Sequence, residues 1–196
     1  MPNPSLHLAM VPEADALLSR DPFALLTGML LDQQFPMERA FAGPAVLAER
    51  MGTPDRLDPA LIADQEPEAF AALMARPPAV HRFPGSMAGR VQALARLIAE
   101  DYHSQADELW DTAGTGAELF ARLRALPGFG DQKAKIFTAL LGKQLDVRPT
   151  GWREAAGTYG DEGSRRSVAD VTDAQTLGEV RSYKQEMKRA MKAAQG

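Results

Sequence analysis

Cysteine does not occur anywhere in the chain, and that one absence removes disulfides, thiolate nucleophiles, cysteine-held zinc and cysteine-held iron–sulfur clusters together. Histidine is almost as scarce. His7, His81 and His103 are scattered and form no i, i+4 pair that would set two imidazoles on one helical face, so no metal site is expected. No apolar run approaches the roughly 18 residues of a membrane span. Met1-Pro2-Asn3-Pro4 also lacks the basic start of a secretory signal. The expectation is a cytoplasmic protein, nucleoid-associated if bacterial, with no membrane partner. Sustained β-branched alternation is missing too, which leaves no signature of a sheet.

What remains is helical periodicity in a chain of globular composition, 45% hydrophobic and 24% charged, so the fold class reads as all-α and disorder is excluded. Asp21-Pro22 opens the first clear helix, with Asp placed to cap and Pro in the first turn, and Phe23, Leu26, Leu30 and Leu31 follow at helical spacing. Pro36 ends or restarts it. Residues 37–51 form another helix with Gly43-Pro44 as a candidate break, and Pro67 begins a third through Met74. Three prolines within 76–85 make that stretch a stiff loop. Further helices are expected from Met87 to Ile98, around Ser104–Trp110, from Ala117 to Leu126 and from Asp131 to Gly142. Residues 143–178 read as irregular or short-helical, and an amphipathic helix from Leu177 to Ala193 closes the chain.

The most specific signal is Leu126-Pro127-Gly128-Phe129-Gly130. Apolar stripes at Leu119, Leu123 and Leu126 and at Ala134, Phe137 and Leu141 flank it, so two helices joined this tightly must pack on each other. Gly128 and Gly130 permit positive φ and leave the backbone unshielded, while Phe129 can turn inward as a plug. A helix starting at Asp131 then offers unpaired N–H groups and a partial positive charge to an oxygen anion, with Lys133 and Lys135 adding charge from the side. Asp131 subtracts some of that charge or serves as the N-cap. A plain helical corner is the competing reading of the same residues.

Net charge is −4, yet Arg181, Lys184, Lys188, Arg189 and Lys192 against Glu186 alone give the stretch 181–192 a charge of +4, leaving −8 elsewhere. A basic footprint on an acidic protein is thereby allowed. Four of these cations align as one stripe beside Val180, Tyr183, Met187 and Met191. That stripe is either a solvated face or a phosphate track.

The hairpin, together with Leu30-Leu31-Asp32-Gln33-Gln34 and Arg90-Val91-Gln92-Ala93-Leu94 ahead of it, resembles the helix-hairpin-helix (HhH-GPD) DNA glycosylase superfamily, to which endonuclease III and the alkyladenine glycosylases belong. The similarity covers roughly residues 20–160 in the right order. It implies two helical lobes with a DNA cleft between them: a central bundle over about 35–135 and a second lobe from about 1–34 plus 136–196, all within one unit spanning 1–196. It further implies a monomer acting on damaged or mismatched double-stranded DNA, with a base flipped out before it is excised. By the match, Gly128, Phe129, Gly130, Lys133 and Lys135 grip DNA, and Gln34, less directly Gln33, fills the gap left by the flipped nucleotide. A monovalent cation at the hairpin carbonyls would be the one bound ion.

The departures from that pattern bear on chemistry. Where the family carries a carboxylate after a valine beyond the hairpin, Val147 is followed by Arg148, so Asp146 is the nearest catalytic candidate. Where bifunctional members carry a nucleophilic lysine, this chain has Gln132, and Lys133 is rotated by about 100°. Lyase chemistry is therefore disfavoured, and hydrolysis of an N-glycosidic bond by water is favoured. Arg148 and Arg153 join the expected DNA contacts; Trp152 reads as core or as a stacking residue, and His81 and Arg82 as a surface turn or a DNA contact. The rival class is a DNA-lesion binding protein of the same fold without catalysis.

Overall fold

The computed structural model describes residues 4–196; of the Met1–Pro4 start, Met1, Pro2 and Asn3 lie outside the described residues. Eleven α-helices and two 3₁₀ turns make up the described secondary structure, with no strand among the described residues. They are α1 (Pro12–Arg20), α2 (Pro22–Leu31), α3 (Met37–Arg50), α4 (Pro59–Ala63), α5 (Pro67–Ala75), α6 (Pro84–Asp101), α7 (Glu108–Asp111), α8 (Gly116–Arg124), α9 (Asp131–Gln144), α10 (Trp152–Ala156) and α11 (Ala174–Ala194). The protein is all-α. No helix among the described residues is long and apolar enough to cross a membrane.

Five of these helices begin on proline, whose fixed φ suits a first turn and whose missing N–H is not needed there. In three of them the preceding acid caps the helix. Asp21 accepts from the Ala24 amide at 3.0 Å, Asp58 from Ala60 at 2.9 Å and Glu66 from Glu68 at 3.0 Å. An acid followed by proline is thus a repeated start signal in this chain. Pro12 and Pro59 open α1 and α4, two helices that periodicity alone did not announce. Pro44 does not break α3, which runs continuously through it. Gly43 explains why: a Cβ there would lie 2.8 Å from Leu31 and 3.1 Å from Val80, so close packing holds this segment helical despite the lost backbone bond.

Helix α2 is the hub. Every residue from Phe23 to Leu31 is buried, the pattern of a helix surrounded on all sides. It packs on α1, α3 and α6, and α6 in turn carries α4 and α5. Downstream, α8, α9 and α10 pack on one another, and α11 meets the 3₁₀ turn at Val168–Asp170. Both groups share one continuous apolar core. Trp152 belongs to the buried set: its ring takes the space that a side chain at Gly142 would need, and the backbone at Gly151–Trp152 approaches Gly116 just as closely.

Asp21 does more than cap α2, because its second oxygen accepts the buried Leu57 amide at 2.7 Å. Replacing it by alanine removes a cap and strands a buried donor. Asp21→Ala should therefore lose about 2–4 kcal/mol of stability in urea titration, against about 1 kcal/mol for a cap alone.

Candidate functional site

Helices α8 and α9 meet at the turn 125–130, and its two glycines face different surroundings. Gly128 has φ +79°, and a Cβ there would sit 2.2 Å from Cδ1 of Leu30 in α2. Both its backbone conformation and its neighbour demand glycine. Gly130 is extended, and a Cβ built on it meets nothing within 4 Å. Phe129 is the plug, 7% exposed and edge-on to Phe137 at 6.2 Å, so any contact the turn makes with a ligand comes from its backbone. Gly130 is the N-cap of α9 and offers no capping side chain. Asp131 does not take that place; it pairs with Arg124 at 2.6 Å. The start of α9 consequently keeps its partial positive charge open on the side where Gly130 has no neighbour.

Lys133 turns inward instead of lying alongside that opening. Its ammonium donates to the carbonyls of Met29 at 2.6 Å and Leu30 at 2.8 Å, in the last turn of α2, where helix carbonyls run short of backbone partners. The hairpin and the Leu30–Gln34 segment, about a hundred residues apart in sequence, are joined there.

The loop leaving α2 is held from three sides. Gln33 donates to the Leu30 carbonyl at 2.9 Å and accepts from Arg90 at 2.9 Å. The Gln33 carbonyl meets Nε2 of His81 at 3.0 Å, and Nδ1 of that ring accepts the Phe83 amide at 3.0 Å. With Nδ1 accepting, the proton sits on Nε2 and the ring is neutral; burial, the largest influence, also lowers its pKa. His81 is thus not a surface turn: it is buried and positions the Gln33 backbone. Gln34 follows, exposed and in left-handed backbone with φ +52°.

Gln34 stands at the edge of a cavity of about 680 Å³, lined by the α2 end (Met29, Asp32), by α9 (Gln132, Lys133, Ile136) and by α11 with Tyr159 nearby. Gln132 donates to the Tyr159 hydroxyl at 3.0 Å. Asp32 is the carboxylate in this space, and burial pushes its pKa up, with Lys184 and Lys133 pulling it back and Glu38 adding to the rise. Burial likewise pushes the Lys133 ammonium down to about 8, against the pull of Asp32 and with that of Arg90. Burial thus disfavours the charged form of both groups, while each favours the charged form of the other.

The other expected site residues lie elsewhere. Asp146 has an 84% exposed side chain, pairs with Arg148 at 3.2 Å and does not line this cavity. It occupies left-handed backbone, φ +59°, in the turn that ends α9, a conformation Asp tolerates better than most residues. Arg148 also donates to the Gly142 carbonyl at 2.8 Å. Arg153 bonds the Gly160 carbonyl at 2.8 Å and lies 4.7 Å from the Trp152 ring, and both arginines border a separate cavity of about 330 Å³. Lys135 is half-buried beside Gly157. Among the described residues no cluster of His, Asp or Glu could hold a metal ion. Asp32 and the positioning role of His81 were not legible beforehand. The acid standing inside Leu30–Gln34, immediately before two glutamines, was the available signal for the first.

Comparison with protein-family models, with curated proteins and with solved structures finds no match to this chain. The site rests on its own geometry.

Two outcomes check it. Gly128→Ala should destabilise the protein by about 1–3 kcal/mol, while Gly130→Leu leaves the thermal midpoint nearly unchanged, because only the first has a neighbour to displace. After reductive ¹³C-methylation, one lysine resonance should titrate near pH 8 instead of near 10.5 and vanish in Lys133→Met. With the folded pKa below the unfolded one, the folded state gives up its proton first, so burial of this group weighs fully against folding below about pH 8 and that penalty fades as pH rises to 10.5.

Proposed function

We propose that the protein is a base-excision DNA repair enzyme, a monofunctional N-glycosylase that hydrolyses the bond between a flipped, damaged or mispaired base and its sugar. The observation that supports it most is that the exposed Gln34 and the half-buried carboxylate of Asp32 line one cavity together with Gln132 and Lys133 from the first turn of α9, the helix whose start at Gly130 has no side-chain cap. The α9 amides suit a backbone phosphate, and Gln34 stands where a side chain could enter a duplex. The cavity volume lies in the range of roughly 300–1,000 Å³ typical of small-ligand sites.

In this reading Asp32 replaces Asp146 as the reacting carboxylate. Water attacks C1′ of the extruded nucleotide, the C1′–N bond breaks with its electron pair leaving on the base, and ionised Asp32 accepts the proton that the water loses. Burial raises the Asp32 pKa, and Lys184 and Lys133 oppose that rise in favour of the ionised form. Lys133 has two of its three N–H donors committed to carbonyls, consistent with a positioning role over a nucleophilic one. A catalytically silent lesion-binding protein is the second reading, favoured by the absence of a carboxylate after Val147 and the solvent-facing Asp146.

Duplexes carrying uracil, alkylated or oxidised bases, or mismatches separate these readings. Release of base from at least one is expected, reduced about 10²–10⁴-fold in Asp32→Asn and within a few-fold of normal in Asp146→Asn, with DNA affinity kept in both. Undiminished release by Asp32→Asn sinks the assignment, and binding without any release selects the silent protein. A borohydride-trapped covalent adduct would overturn the water route.

A further inference from the structure

The far end of α11 carries no buried side chain. From Lys184 onward each residue is exposed, so the helix continues to Ala194, about 16 Å, beyond its last half-buried side chain, Tyr183. Its base is well held: Leu177 and Val180 are buried, Arg181 pairs with Glu38 of α3, and Arg166 donates to the Tyr183 hydroxyl at 2.8 Å. Helices owe most of their stability to packing, and the outer turns of this one bury no side chain within the protein.

Those outer turns carry a patterned surface. Lys184 and Lys188 lie four residues apart, as do Met187 and Met191, and all four line the same cavity that α9 lines with Gln132 and Lys133. Met187 and Met191 are 45% and 62% exposed. Lys192 extends the cationic row by another turn, and neither Lys184, Lys188 nor Lys192 pairs with a carboxylate among the described residues. The stretch is positive while the remainder of the chain is strongly negative, so a polyanion repelled by the body of the protein is attracted to this one edge.

We infer that the free end of α11 is a second anchor for the DNA strand at the cavity, Lys184, Lys188 and Lys192 taking backbone phosphates while Met187 and Met191 cover the apolar faces of nucleotides at its mouth. The inference rests on the DNA reading above and adds the second jaw. The hairpin holds one side through main-chain amides, which carry no net charge; α11 holds the other through side-chain cations. The two grips therefore differ in their response to salt, because release of counterions follows the cations neutralising phosphate.

The test is fluorescence anisotropy of a labelled duplex containing an abasic-site analogue, titrated over a series of potassium chloride concentrations with the full-length protein. Lys184→Gln combined with Lys188→Gln and Lys192→Gln should weaken binding tenfold or more at low salt and flatten the slope of log affinity against log salt by about 2–3, near 0.9 for each phosphate no longer neutralised. Helicity and thermal midpoint stay near the parent's, since these side chains are exposed and form no ion pair among the described residues. Parent affinity and slope in the triple variant overturn the second jaw while leaving the hairpin reading standing. A parent protein that fails to bind at low salt overturns both. Sedimentation showing a dimer that Met187→Ser with Met191→Ser dissolves, with DNA binding untouched, would assign this edge to a second copy of the chain and likewise overturn the proposal.

Discussion

The ammonium of Lys133 inserted under the last carbonyls of α2 is the contact on which the site depends. Helix α2 is apolar around its whole circumference, so its end must fall where backbone oxygens can still find donors. Lys133 supplies them from α9, and Gly128 lets the α8–α9 turn come near enough for that reach by leaving no atom in the way of Leu30. Take away either the donor or the missing side chain, and the turn loses its fixed relation to Asp32, Gln33 and Gln34. Packing and hydrogen bonding here serve one end: they set a main-chain corner beside a loop.

The same burial that builds this junction makes it electrostatically uneven. Asp32 and Lys133 are each driven toward neutrality by lost hydration, and each resists the other's shift. Lys184 reaches into the balance from α11, so the ionisation of the one carboxylate lining the cavity is linked to the exposed outer turns of that helix. Asp146 does not line the cavity. It stands in water beside Arg148, in a turn whose backbone geometry already accounts for its presence.

Much of the architecture could be read from residues alone, because its determinants are local. Asp21-Pro22 announces both the cap and the first turn of α2, and the paired apolar stripes around residues 126–130 require the packing of α8 on α9. Pro44 was ambiguous because propensity opposes a helix there, whereas the favourable close packing of Gly43 on Leu31 and Val80 is a tertiary fact. The site was legible in its backbone parts and not in its side chains. Glycine at 128 and 130 speaks directly about conformation and access. The rotation that carries Lys133 under α2, the inward placement of Asp32 and the burial of His81 beneath the Gln33 carbonyl each depend on which distant segment arrives, and periodicity carries no information about that.

The three grips on the loop after α2, from Arg90, His81 and the Leu30 carbonyl, leave it little room to adapt, and the floor beneath is a helix with no wet face on which to slide. The opposite wall, formed by the outer turns of α11, has exposed side chains and no such set of hydrogen bonds among the described residues. A guest entering the cavity thus meets a braced wall on the α2 side, and the fit to that wall has to come from the guest.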